Sequence, residues 1–532
     1  MNVFKSSAAI ILLAFVFWRP EDPGRVLKSI TADSLLHHIK ILASDEFEGR
    51  APGTRGEQLT VEYLTDQFKK LGLKPGNPDG TYVQDVPLVA IKGRPTAYLT
   101  VGKKKIGLNY PTDYVALTRH SKPEVKIEDS ELYFVGYGIV APEYGWEDYK
   151  DVDLRGKTLV VLINDPPVPD PSNPSRLDGK VFEGNAMTYY GRWTYKFEIA
   201  AKKGAAAAIL IHEQGPAGYP YGVLVGSSQQ ESFSLEKAGQ REDRVPVESW
   251  ISTRTARMLF SLAGKNFDQM KKSALSRSFR PLSLKAGVTF VIRNTVRQVR
   301  SRNVVAKLEG SDPKLRTECV IYSAHWDHLG RNEKLKGDQI YNGAIDNASG
   351  TAGLLEIAKA YSRLGTAPRR TILFLSPTAE EKGLLGARYY IENPIYPLSR
   401  TLADINMDCL NPWGRTRDLI VIGSAHTALD DIVSRIAKSQ GRRVIPDIEP
   451  EKGFFFRSDQ FEFARRGIPT LYTDGGVDLV GKPVEYGLHK RSEYTSRDYH
   501  RVTDEVKPDW DLSGSVEDLR LLFLVGYTVA CN

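Results

Sequence analysis

The chain has 532 residues, 41% hydrophobic and 26% charged, with no low-complexity tract; this argues against a disordered or fibrous protein and leaves room for two or three domains. The net charge of +7 is the difference between 72 basic and 65 acidic residues scattered along the chain, so no basic stripe points to nucleic acid. Three dispersed cysteines, Cys319, Cys409 and Cys531, are too few for a disulfide scaffold or a Cys-ligated zinc, and any metal must be held by His and carboxylate.

Residues 1–22 read as a signal peptide or N-terminal anchor. Lys5 precedes an apolar run from Ala8 to Trp18 that is short for a bilayer span. Export to the periplasm or the extracellular medium is expected, with no stable membrane span in the mature chain. From Ile30 to Leu73 the apolar residues recur at three- and four-residue steps in SLLHHIKILAS and EQLTVEYLTDQFKKLGL, which predicts two helices. Gly72 and Pro75 stop the second, and DEFEGRAPGTRG between them reads as an ordered turn.

From about 125 to 290 the texture changes. ELYFVGYGIVAP, GKTLVVLIND and AAAAILIHE read as strands and YKFEIAAKKG as a helix, a separate β-rich α/β module. After Asn303 strands and helices alternate: ECVIYSA, TAGLLEIAKAYSRL, RTILFLS, KGLLGARYYIE, TLADINMD, DLIVIG, ALDDIVSRIAKSQ and TLYTD. That alternation predicts a mixed, mostly parallel sheet sandwiched by helices.

Where these predicted strands give way to loops, and in the closing loop, stand SAHWDHLG with His325 and Asp327, GAIDNASG with Asp346, SPTAEEKG with Glu380 and Glu381, NMDCLN with Asp408, and DYHRVTDE with His500. Open α/β sheets place their sites at such ends. Singly, each motif reads as a cap, a turn or a first-turn acid; together they make a constellation. Two His and three carboxylates suit a pair of Zn²⁺ ions, whose four positive charges are met by Asp346, Glu381, Asp408 and one bridging hydroxide. Glu380 is then free to act as a base.

The five motifs, in this order, resemble those of metallopeptidase family 28, the two-zinc exopeptidases that include bacterial aminopeptidases. The resemblance covers about 300–532, and 30–73 and 125–290 are similar to the family's N-terminal helical segment and inserted protease-associated domain. It implies a zinc exopeptidase-like domain split into 23–124 and 291–532 around an insert at 125–290. It also implies that Asp346 bridges two zinc ions, with His325 and Asp408 completing one and Glu381 and His500 the other, that Asp327 orients His325, and that the Asp346–Asn347 peptide is cis. Ser458-Asp459-Gln460 stands where the family often has SDH, at a position that is not a ligand.

The expected chemistry is hydrolysis of the first peptide bond of substrates with a free N-terminus, with Glu380 as general base. Tyr499 is a candidate donor to the tetrahedral oxygen, with Tyr472 as the other. The run Phe454-Phe455-Phe456 reads as loop packing or as an apolar wall of the substrate pocket. Within the same fold the alternatives are a single-zinc glutaminyl-peptide cyclotransferase, a carboxypeptidase in which Arg457 would belong to an arginine cluster, and a non-catalytic binding protein. Oligomeric state is not legible.

Overall fold

A computed structural model describes residues 23–236, 244–423 and 427–532. The N-terminal segment read as a signal peptide or anchor lies outside the described residues. Among them, no helix is long and apolar enough to cross a membrane.

The sheet that carries the motifs runs, from its edge, Arg443–Pro446, Asp418–Val421, Thr470–Gly475, Thr401–Asn406, Cys319–Ser323, Thr371–Ser376 and the end of Leu282–Leu308. Cys319–Ser323 is parallel to both of its neighbours, whereas Leu282–Leu308 joins Thr371–Ser376 antiparallel. The sheet is therefore mixed and mostly parallel. Its central strands are buried throughout, as expected for strands covered on both faces.

The period-two alternation of strand side chains divides these residues between two packing layers. Val320, Tyr322, Ile372 and Phe374 face the core shared with helices Ala32–Leu42, Arg55–Lys70, Gly350–Ser362 and Ser513–Cys531. Cys319, Ile321, Leu373 and Leu375 face Tyr390 and Ile391 of helix Leu385–Glu392 and Phe463 of Gln460–Ala464. The long C-terminal helix approaches closely at Gly526, where a Cβ would collide with the Tyr322 hydroxyl. The helix read from KGLLGARYYIE begins later than its sequence pattern, at Leu385, because Leu384 adopts φ 59° and the residues after Glu381 form a turn.

A second core gathers strands Glu124–Phe134, Thr158–Leu162, Ala207–His212 and Val247–Ser252, whose three successive pairings are parallel, while at the edge Tyr114–Leu117 runs antiparallel to Val247–Ser252. This core also takes in Ala97, Leu99 and Tyr114–Ala116, upstream of the 125–290 stretch. The strands Val83–Val101 and Leu282–Leu308 form an antiparallel ribbon in unbroken register from Val83↔Val304 to Thr100↔Gly287, and this ribbon connects the two cores.

Candidate metal centre

The five motifs converge at one end of the sheet that carries them. His325 follows strand Cys319–Ser323, and its backbone carbonyl accepts from the Thr351 hydroxyl at 2.7 Å. Its Nδ1 lies 3.1 Å from the backbone carbonyl of Asp327. A carbonyl only accepts, so this contact places the hydrogen on Nδ1 and leaves Nε2 for the cleft. There Nε2 stands 3.4 Å from Asp408 Oδ1, 3.6 Å from Asp346 Oδ1 and 3.8 Å from Glu380 Oε2. His500 Nε2 lies 3.2 Å from both Asp346 Oδ2 and Glu381 Oε2. Asp346 thus presents one oxygen to each histidine.

Two donor sets with metal-binding spacing result, His325–Asp346–Asp408 and His328–Asp346–Glu381, and they share Asp346. His328 is a site residue that the sequence reading missed. Its Nδ1 meets Glu381 Oε1 at 2.6 Å, while its buried Nε2 has no partner among the described residues. The signal was the second His of SAHWDHLG, which spacing alone does not separate from a loop polar group. A Cβ on Gly343 would lie 2.6 Å from the His328 ring, and Gly343 has φ +55°, so glycine is what allows this loop to close over the imidazole.

The supporting contacts come from several segments. Asp504 accepts from the backbone N–H groups of Ile345 and Asp346 at 3.0 and 3.1 Å. The side-chain oxygen of Asn347 accepts from Gly350 N–H, and its amide donates to Met407 O. The Asp346–Asn347 peptide is cis. Arg50, 1% exposed, donates to the carbonyls of Leu42, Trp326, Asn342 and Gly343 and so ties the turn DEFEGRAPGTRG beneath the motifs. Neither Asp504 nor Arg50 was singled out by sequence.

The Asp327 carboxylate lies 3.8 Å from His325 Nδ1 and accepts from Glu380 N–H at 3.0 Å; its backbone carbonyl, at 3.1 Å, is the nearer acceptor for the imidazole. Ala379, Cys409 and His500 have φ of 52°, 64° and 58°. Left-handed conformations at non-glycine residues cost energy, and they cluster where function over-determines the backbone; here they lie next to or at Glu380, Asp408 and His500.

Electrostatically the site is a set of buried carboxylates facing imidazoles. Burial pushes Glu380 well above the usual carboxylate range, with the charges of Glu381 and Asp408 acting in the same direction. Burial also works on Glu381, but His500 and His328 hold it well below its ordinary value. Burial lifts Asp327 and Asp504 up to about 7. Against the effect of burial, Glu381 and Asp346 raise His500 to about 10. Such a concentration of perturbed groups marks a functional site, and the donor set is the hard oxygen and imidazole mixture that suits zinc.

The remaining candidates separate clearly. Tyr499 is 36% exposed and stacks on His500, with ring centroids 3.9 Å apart. Tyr472 is packed with Ile420, Ile422 and Val477. Phe454 and Phe455 pack against that same cluster, and Phe456 packs on Phe461 and Tyr189.

Comparison with known proteins supports the placement. The model of peptidase family M28 matches residues 303–524. The chain is 29% identical to a glutamate carboxypeptidase 2 homolog of Caenorhabditis elegans over 318 residues, 53% of this chain and 37% of that protein. It is 37% identical to aminopeptidase NAALADL1 of Mus musculus over 122 residues, 22% of this chain and 15% of that one. The chain thus spans well under half the length of these curated relatives. The solved aminopeptidase from Aneurinibacillus sp. strain AM-1 superposes with a TM-score of 0.54 at 18% identity, covering 96% of each chain; it shows the fold.

Proposed function

We propose that this chain, which belongs to peptidase family M28, is a two-zinc aminopeptidase that removes the first residue of peptides with a free N-terminus. The observation that carries the reading is the position of Asp346, one oxygen 3.6 Å from His325 Nε2 and the other 3.2 Å from His500 Nε2, with Glu380 beside them. His325 and Asp408 would hold one ion, Glu381 and His500 the other, and Asp346 both. His328 would fix Glu381 through its Oε1, leaving Oε2 toward His500. Without cations, several buried carboxylates face one another with only imidazoles to offset them, and such an arrangement is costly; two divalent ions remove that cost.

When bound, a zinc pair supplies Lewis acidity toward a scissile carbonyl and a lowered pKa for water. The residues of this chain do the rest. Glu380 takes the proton of the attacking water and returns it to the leaving amine, a role that fits its place 3.8 Å from His325 Nε2 beside the other carboxylates. Asp327, by accepting from Glu380 N–H, fixes the backbone that aims this carboxylate. Tyr499, partly exposed over His500, donates its hydroxyl to the oxygen that gains charge, a stabilisation that grows as the carbonyl becomes tetrahedral. The second core, built mainly from 125–290, serves in this reading as a protease-associated domain.

The test compares release rates from Leu-anilide and N-acetyl-Leu-anilide. Cleavage of the unblocked substrate alone supports an aminopeptidase. Hydrolysis of an N-blocked peptide at its C-terminal bond, with the free-amine anilide untouched, would show a carboxypeptidase instead.

A further inference from the structure

One fully buried side chain bonds both stems of the turn that carries Glu380 and Glu381. The turn runs from Thr378, just past strand Thr371–Ser376, to Gly386 at the start of helix Leu385–Glu392. Its stems bond to each other, Gly386 N–H to Thr378 O at 2.9 Å and Leu385 N–H to Ala379 O at 3.1 Å. These bonds set the shape of the turn and leave its place relative to the sheet to other contacts. Asp327 gives one, accepting from Glu380 N–H. Asn303, 0% exposed on strand Leu282–Leu308, gives two, one to each stem.

Asn303 Oδ1 accepts from Thr378 N–H at 3.0 Å, and Nδ2 donates to Gly386 O at 3.0 Å. A backbone N–H only donates and a carbonyl only accepts, so these two partners fix which way the amide points. The other hydrogen on Nδ2 goes to Gln84 Oε1 at 3.0 Å. Gln84 is the cross-strand partner of Asn303 in the ribbon, and its own amide donates to Asn393 O at the end of helix Leu385–Glu392 at 2.8 Å. Ser301, two residues earlier and so on the same face of the strand, has its Oγ 2.6 Å from Thr378 Oγ1 and 3.0 Å from Glu57 Oε2. Gly386 leaves room for the amide: a Cβ there would stand 2.3 Å from Thr378 O and 2.5 Å from Asn303 Oδ1. The ribbon that connects the two cores thus ends in a polar clamp on the acidic turn.

The place of this turn decides where two carboxylates of the cleft stand. Glu380 Oε2 lies 3.8 Å from His325 Nε2, and Glu381 Oε2 lies 3.2 Å from His500 Nε2. Rates depend steeply on such placement, and a shift of about 1 Å in a reacting group costs up to about 100-fold. Without the Asn303 amide, Thr378 N–H, Gly386 O and Gln84 Oε1 each lose a partner, and buried polar groups left unpaired favour movement toward other partners. All three bonds of Asn303 go to this chain, so its effect on the reaction passes through the turn.

We propose that Asn303 is a positioning residue for peptide hydrolysis, holding Glu380 and Glu381 in place by clamping both stems of the turn between them. This rests on the exopeptidase reading and adds to it a residue on the strand shared with the second core, one that sets the geometry of the general base without touching substrate.

The experiment measures kcat and KM on Leu-anilide for zinc-saturated full-length wild type, Asn303→Leu and Asn303→Asp, with Val433→Ala, in the buried core of helix Ala428–Ser439, as a control for lost stability alone. Asn303→Leu keeps the branching of the side chain and removes all three bonds. Its kcat is expected to fall about 10- to 100-fold with KM changed by less than about threefold, while Val433→Ala keeps a kcat near that of wild type. Asn303→Asp keeps the acceptor for Thr378 N–H and regains a donor for Gly386 O only when its carboxyl is protonated, so its kcat relative to wild type is expected to rise from about pH 8 to about pH 6. A kcat of Asn303→Leu within about twofold of wild type overturns the proposal, as does an equal fall in Val433→Ala, which would make lost stability the cause. Where Asn303→Leu does not fold, a flat pH ratio in Asn303→Asp overturns it. A wild type that leaves Leu-anilide uncut counts against the exopeptidase reading, and the clamp is then tested by hydrogen exchange of residues 378–386 in the metal-free full chain. Faster exchange there in Asn303→Leu or Asn303→Asp than in Val433→Ala is expected, and equal exchange overturns it.

Discussion

His328 Nδ1 meets Glu381 Oε1 at 2.6 Å while His500 Nε2 meets Glu381 Oε2 at 3.2 Å. One carboxylate is thus shared between a fully buried imidazole and one at the cleft. In the proposed site the buried imidazole would act on a metal through Glu381, by fixing its orientation. His328→Ala is expected to fold and to weaken the second metal by about 10- to 100-fold, the range for losing a hydrogen bond that orients a ligand. Competition with a chromophoric chelator measures it, and unchanged affinity would remove His328 from this role.

Glu380→Gln keeps the shape of the side chain and removes the base. Turnover is expected to fall by about 100-fold or more, the contribution of a positioned general base, with metal content unchanged. Steady-state kinetics beside elemental analysis of the same sample checks both halves.

Arg50 donates to four backbone carbonyls from a site that is 1% exposed. Arg50→Ala leaves those acceptors without their donor and opens a cavity. A loss of about 3–5 kcal/mol, as for removing one partner from a buried charged network, is expected in urea unfolding of the metal-free protein.

Asp404 lies under the site, fully buried, and accepts from Ser323 Oγ at 2.8 Å. Burial pushes it up to about 7. A carboxyl whose folded pKa lies above its unfolded value of 3.8 favours the folded state when protonated. Its ionisation therefore costs stability as pH rises from about 4 to 7, and the full cost applies above 7. Asp404→Asn keeps the acceptor for Ser323 and cannot ionise. The variant is expected to gain stability relative to wild type at pH 8 and to lose most of that gain at pH 5, as read by urea titrations at both values.

The convergence of the candidate residues was largely legible in the sequence because strand-end residues of an open α/β sheet are brought together by the topology itself. Once 319–323, 371–376 and 401–406 are parallel neighbours, His325, Glu380, Glu381 and Asp408 must meet. His328, Asp504 and Arg50 were not legible because their importance depends on where loops cross, and a single polar residue in a loop carries no periodicity. The second core shows a related limit. Its apolar residues begin at Ala97, before the change of texture near residue 125, because strand Val83–Val101 runs through both cores with no break in pattern to mark the passage. Tyr472 and Tyr499 looked equivalent as donors, and only burial separates the packed one from the one over His500.

The account turns on two metals joined by one carboxylate, and the most direct test is zinc per chain in wild type and in Asp346→Ala, each purified in the same zinc-containing buffer and desalted. Two zinc ions in the wild type and fewer than one in the variant are predicted. A single zinc in the wild type, or two retained by Asp346→Ala, would contradict it.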